Sequence, residues 1–90
     1  MEATQKLELM DKILRELDDL KNSETAVVQK IAKLEIDNMT LSDKMLDTKL
    51  SDIYSEAINM VDHINETQTE FDLKRNKFEQ ENNLAQKPAE

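Results

Sequence analysis

The sequence predicts an all-α protein, a long amphipathic helix forming a coiled coil or a small helical bundle, on the strength of three observations. First, Met10, Ile13, Leu17, Leu20, Val27, Ile31, Leu34, Leu41 and Met45 step along the chain in alternating threes and fours, interrupted by Glu24 and Asn38. This spacing holds one apolar line on one side of a slightly underwound helix and buries it against a neighbour. Second, the 90 residues include no glycine and one proline, Pro88, so the chain discourages tight hairpins and permits long uninterrupted helix. Third, 36% of the residues are charged and the aromatics are one Tyr and two Phe, too little bulk for a large self-contained core.

Taken in order, residues 1–5 are a polar lead, and residues 4–21 have the strongest amphipathic pattern. Leu7, Met10, Ile13, Leu14, Leu17 and Leu20 share one side there, with Glu8, Asp11, Lys12, Arg15 and Asp18 away from it. Between Lys21 and Ala26 the apolar residues stop, and Asn22 or Ser23 could cap a helical hairpin. The heptad phase nevertheless survives this stretch: with Met10 as position a, Leu17, Ile31 and Met45 are also a, and Ile13, Leu20, Val27, Leu34 and Leu41 are d. We therefore expect one continuous helix, with a break at 21–26 as the alternative.

A self-association seam is expected along Met10, Ile13, Leu17, Leu20, Val27, Ile31, Leu34, Asn38, Leu41 and Met45. In a parallel pair of chains, Glu16 would face Lys21 and Lys30 would face Glu35, both attractive. Asn38 at an a position would satisfy its amide with its own copy across the dimer axis, fixing register at a cost in stability. On that reading Asn38→Val raises the melting temperature and broadens the range of oligomers.

Residues 6–48 thus form the heptad segment. After Met45 the phase slips, and residues 49–80 form a second, acidic segment. Its stripe of Leu46, Leu50, Ile53, Tyr54, Ala57, Met60, Val61, Ile64, Phe71 and Phe78 is wider than a two-stranded coil uses, as for a helix with two or three neighbours. Residues 81–90 read as a fraying polar tail.

The net charge of −8 disfavours direct binding to nucleic acid, where Lys and Arg must replace condensed counterions, and to anionic membrane surfaces. No run approaches the length of a bilayer span, and the polar start lacks a signal-peptide pattern, so a cytoplasmic or nucleocytoplasmic protein is expected. The Asn-x-Thr triplets at Asn38 and Asn65 are accordingly not expected to carry glycans.

Without cysteine, a glycine-rich phosphate loop or an enclosed pocket, the chain is not expected to be an enzyme or to hold a cofactor. His63, the only histidine, precedes Glu66, whereas bundle metal sites place Glu three residues before His and draw on facing helices. No metal is expected. Between Lys49 and Lys74 there is no Lys or Arg, while Asp52, Glu56, Asp62, Glu66, Glu70 and Asp72 form an acidic ridge. The expected function is that of a coiled-coil assembly or adaptor protein, whose partner is a second copy in parallel, another helical protein, or both. The alternatives are an acidic inhibitor or chaperone that occupies a basic or helical surface through the ridge, by nucleic-acid mimicry in one form, and an obligate subunit of a hetero-oligomeric bundle.

Overall fold

The computed structural model describes residues 1–84, which form two helices, α1 (Ala3–Leu41) and α2 (Lys44–Glu81). The predicted all-α class is the one the chain adopts, as an antiparallel helical hairpin: Asp11 near the start of α1 meets Arg75 near the end of α2, and Asp18 meets Gln68. The described chain spans about 65 × 22 × 17 Å. The rest of the polar tail, from residue 85, lies outside the described residues.

The helix passes through residues 21–26 without interruption. The hydroxyl of Thr25 donates to the carbonyl of Lys21, one turn back, at 2.9 Å, so this polar side chain is accommodated within the helix instead of capping a new one. The chain reverses sixteen residues past Ala26, at Ser42 and Asp43, inside the stretch read from sequence as a single heptad segment. The slip of heptad phase near Met45 therefore accompanies a reversal of direction.

Three residues build that reversal. Ser42 adopts the left-handed conformation (φ 62°, ψ 38°) and its N–H donates to the carbonyl of Asn38 at 2.6 Å, closing the last turn of α1. Asp43 then caps α2, its carboxylate accepting from the N–H of Leu46 at 2.8 Å. Asn38 clasps Asp43 from below: its Nδ2 donates to the Asp43 carbonyl at 3.0 Å, and its Oδ1 accepts from the Asp43 N–H at 3.1 Å. With both ends of its amide engaged inside the chain, Asn38 sets the register of the hairpin. It is the one buried polar residue among the described residues, 5% exposed, and its partners remove the desolvation cost such burial would carry.

The line along which the helices touch differs from the predicted seam by one row. On α1 most of the half-buried and buried positions fall in two rows, Met10, Leu17, Glu24, Ile31 and Asn38, and Leu7, Leu14, Lys21, Val28 and Glu35. In heptad terms these are a and e. The d row was expected to lie beside a at the contact. Across from them on α2 run Leu50, Ala57, Ile64, Phe71 and Phe78, with Leu46, Val61, Gln68 and Arg75 alongside. Lys21 and Glu35, expected to meet a second chain, thus lie against α2 of their own, and Lys21 reaches Asp18 at 3.8 Å.

Among the described residues Ile31, Leu50, Ala57 and Ile64 are the buried apolar side chains, and no large one is fully enclosed. Two helices leave most of their apolar side chains partly uncovered, so a hairpin of this size is marginal by itself. The open end is held by polar groups instead. Arg75 donates through Nε to Asp11 Oδ1 at 2.6 Å and through a terminal nitrogen to Asp11 Oδ2 at 3.3 Å, while its other terminal nitrogen reaches Glu79 at 2.8 Å and Asn76 at 3.0 Å. The bond to Asp11 raises the guanidinium above its ordinary pKa, burial opposes the shift, and the charges of Asp11 and Glu79 add to it. Close by, the ammonium of Lys6 sits 5.1 Å from the centre of the Phe78 ring.

Candidate interaction face

Once rows a and e of α1 are turned to α2, the d row has nowhere to go but the side of the hairpin. At 100° per residue it lies about 80° from the line of contact. The corresponding row of α2, Leu46, Ile53, Met60, Thr67 and Lys74, lies at a similar angle from its own contact line. Because the helices run in opposite directions, the two rows emerge on the same face.

The open end fixes this assignment. Lys6 belongs to the d row of α1, seven residues before Ile13, and Lys74 and Glu81 belong to the matching row of α2. All three line a single groove with Met10, Lys77 and Phe78. On the opposite face Leu14, Gln68, Thr69 and Asp72 line a separate groove, and it is there that Asp11 meets Arg75 and Asp18 meets Gln68.

The first face is apolar over most of its length. Leu20, Val27, Leu34 and Leu41 from α1, and Ile53 and Met60 from α2, remain between 41 and 69% exposed. Ile13 and Leu46 are half-buried at its margins. At matching heights along the hairpin, Leu41 stands beside Leu46, Leu34 beside Ile53 and Val27 beside Met60; further on, Leu20 stands beside Thr67. The strip is densest at the turn and gives way to charge at the open end. Near the turn, Ile36, Met39 and Met45 add exposed apolar surface off the strip.

Of the seam residues predicted from sequence, the structure therefore separates two groups. Met10, Leu17, Ile31 and Asn38 face α2, while Leu20, Val27, Leu34 and Leu41 stand open, with Ile13 between the two. The second stripe divides likewise. Leu50, Ala57, Val61, Ile64, Phe71 and Phe78 pack on α1, Ile53 and Met60 stand open on the face just described, and Tyr54 sits at the opposite margin, 36% exposed. Leu7 and Leu14, on the apolar side expected for residues 4–21, pack on α2, and Val28 continues their row at multiples of seven residues.

The flanks of the apolar face are charged in blocks. Outside the α1 row run Leu9, Glu16, Ser23, Lys30 and Asp37, and outside the α2 row run Lys49, Glu56, His63, Glu70 and Lys77. The acidic ridge is fully on the surface: Asp52, Glu56, Asp62, Glu66, Glu70 and Asp72 are all exposed, spread over the back and flanks of α2, and among the described residues none is in an ion pair. His63 is exposed on the outer flank, and among the described residues no three His, Asp or Glu side chains converge on a point where a metal ion could sit.

No described helix is long and apolar enough to cross a membrane. What the arrangement offers chemically is a surface, a strip of aliphatic side chains between two charged margins, in place of an enclosed pocket. Comparison with protein-family models, with curated proteins and with solved structures gives no match to this chain.

Proposed function

We propose that this chain is a non-enzymatic assembly or adaptor protein that works by helix-mediated protein–protein contact. The observation that supports the reading is the strip of Leu20, Val27, Leu34, Leu41, Ile53 and Met60, still exposed after the hairpin has closed. A lone exposed leucine is ordinary on any protein surface, but a contiguous apolar strip with charged margins is the mark of an interaction site. Its form suits the face of another helix or helix pair, which would dock through side chains three and four residues apart.

The small core supports the same reading from the side of stability. With so few side chains buried inside the hairpin, covering the strip would supply apolar burial of about 25 cal/mol per Å² that the isolated fold lacks. The test is a double substitution, Val27→Lys with Leu34→Lys, placed on side chains that α2 does not cover. Mass spectrometry after cross-linking in the producing cell should find the native chain in assemblies that the variant leaves, with circular dichroism showing both equally helical. A variant retained in the same assemblies would overturn the proposal.

The acidic inhibitor or chaperone is a second reading, and the exposure of all six ridge carboxylates favours it. Salt separates the two. Complexes made through the ridge weaken steeply between 50 and 500 mM salt, over which the Debye length shrinks roughly threefold, whereas those made through the strip persist.

A further inference from the structure

We propose that the occupant of the apolar face is a second copy of this chain, docked with both turns at the same end to form a four-helix bundle. The inference rests on the reading of that face as an interaction surface, and it commits to which partner covers it and in what orientation.

Charge placement carries it. The ion pair of Asp11 with Arg75 and the hydrogen bond of Asp18 with Gln68 fix which residues of the two helices share a height, each step of seven up α1 matching a step of seven down α2. By that register Lys30 stands level with Glu56, and Asp37 with Lys49. Within one chain these residues lie on opposite outer flanks, too far apart to interact.

A second hairpin laid face to face with its turn at the same end puts its α2 over α1 of the first. Lys30 of each chain then meets Glu56 of the other, and Asp37 meets Lys49. Four attractive contacts form around the axis, flanking the part of the strip where the apolar residues are densest. Ser23 meets His63 without conflict, and only Glu16 against Glu70, towards the open end, repels. In the core of such a bundle Leu34 and Ile53 of both chains make one layer and Val27 and Met60 the next.

With the turns at opposite ends each helix lies over its own copy: Lys30 then meets Glu16, but Glu56 lies opposite Glu70 and Lys49 opposite Lys77, so the repulsive contacts outnumber the attractive ones, and Ile53 meets Lys74. The charge pattern discriminates between the two arrangements, which a partner of arbitrary sequence would give it no reason to do.

The area fits as well. From Ile13 to Leu41 the row runs about 42 Å at 1.5 Å per residue. Across a hairpin 22 Å wide this is a patch of roughly 900 Å² per copy, against about 800 Å² per partner in a stable complex of ordinary size.

Sedimentation equilibrium of the purified full chain should return the mass of two chains; a helical monomer, or any assembly of another size, would overturn the proposal. Glu56→Lys should then weaken the dimer about tenfold, because it turns two attractive contacts into two repulsive ones, and Lys30→Glu combined with Glu56→Lys should restore it. A tighter dimer from Glu56→Lys alone would assign the opposite orientation and overturn this one. Both substitutions lie on exposed positions outside the hairpin contact, and circular dichroism reports their folding. If the purified chain is monomeric while Val27→Lys with Leu34→Lys still strips it from assemblies in the cell, the second copy is excluded and the broader reading of the face stands.

Discussion

The side-chain amide of Asn38 grips the backbone of Asp43 at both ends, accepting from its N–H at 3.1 Å and donating to its carbonyl at 3.0 Å. The last turn of one helix is thereby bolted to the first residue of the next. Because the chain reverses without a glycine, this clasp, the left-handed Ser42 and the Asp43 cap together hold the turn.

Asn38→Val should destabilise the hairpin, the opposite of what its place in the heptad pattern suggests. It removes two hydrogen bonds and leaves the N–H of Asp43 without its partner, while the Asp43 carbonyl keeps the N–H of Asp47, at a cost of about 2 kcal/mol. Thermal melting should fall by roughly 10 °C for a chain of this size. An unchanged or raised midpoint would contradict the clasp.

Ser42→Gly should stabilise. A residue with a Cβ pays about 1 kcal/mol for the left-handed conformation that glycine adopts freely, and φ at Ser42 is 62°. The gain is offset by the freer unfolded chain, so the net effect expected in urea denaturation is a few tenths to 1 kcal/mol in favour of the variant. The hydroxyl of Ser42, at 3.3 Å from the Met39 carbonyl, is exposed and its loss is minor.

Arg75→Leu should loosen the open end. The guanidinium is the one side chain tying Asp11 of α1 to Glu79 of α2, and the pair to Asp11 is two-pronged and partly shielded from water. Its loss is expected to cost about 1 kcal/mol. Hydrogen exchange should accelerate in residues 3–14 and 72–81 and remain slow around Ile31 and Leu50; uniform acceleration would point to a global role instead.

Ala57→Leu tests how closely the helices approach. Ala57 is buried at the height of Val28 and Ile31, facing α1. Three added carbons must displace one helix, with an expected loss of about 1–3 kcal/mol. A neutral result would mean that α1 and α2 stand further apart than their side chains imply.

The contact surface of α2 was largely legible in the sequence, since Leu50, Ala57, Ile64, Phe71 and Phe78 recur every seven residues and all pack on α1. The contact line of α1 was harder to read because two rows compete. Leu20, Val27 and Leu34 are more hydrophobic than Lys21, Glu24 and Glu35, yet the polar set faces α2, where their long stems can cover apolar surface while their charged ends reach water. The turn was hidden for a related reason: Leu41 and Met45 continue the spacing of the heptads across it, so periodicity alone runs straight through Ser42 and Asp43.

The sequence by itself determined that this protein is helical, that its helices are long, and that a stripe of seven-residue periodicity must be buried, because helix propensity, the lack of glycine and apolar spacing are local properties. Only the tertiary structure decided what buries that stripe. A periodic row specifies a neighbour without saying whether it lies in the same chain; here Asn38 and Asp43 bring the neighbour from further along the same chain, closing one row inside the hairpin. Covering that row with the chain's own second helix leaves the next row, from Leu20 to Leu41, open with Ile53 and Met60 on a single face.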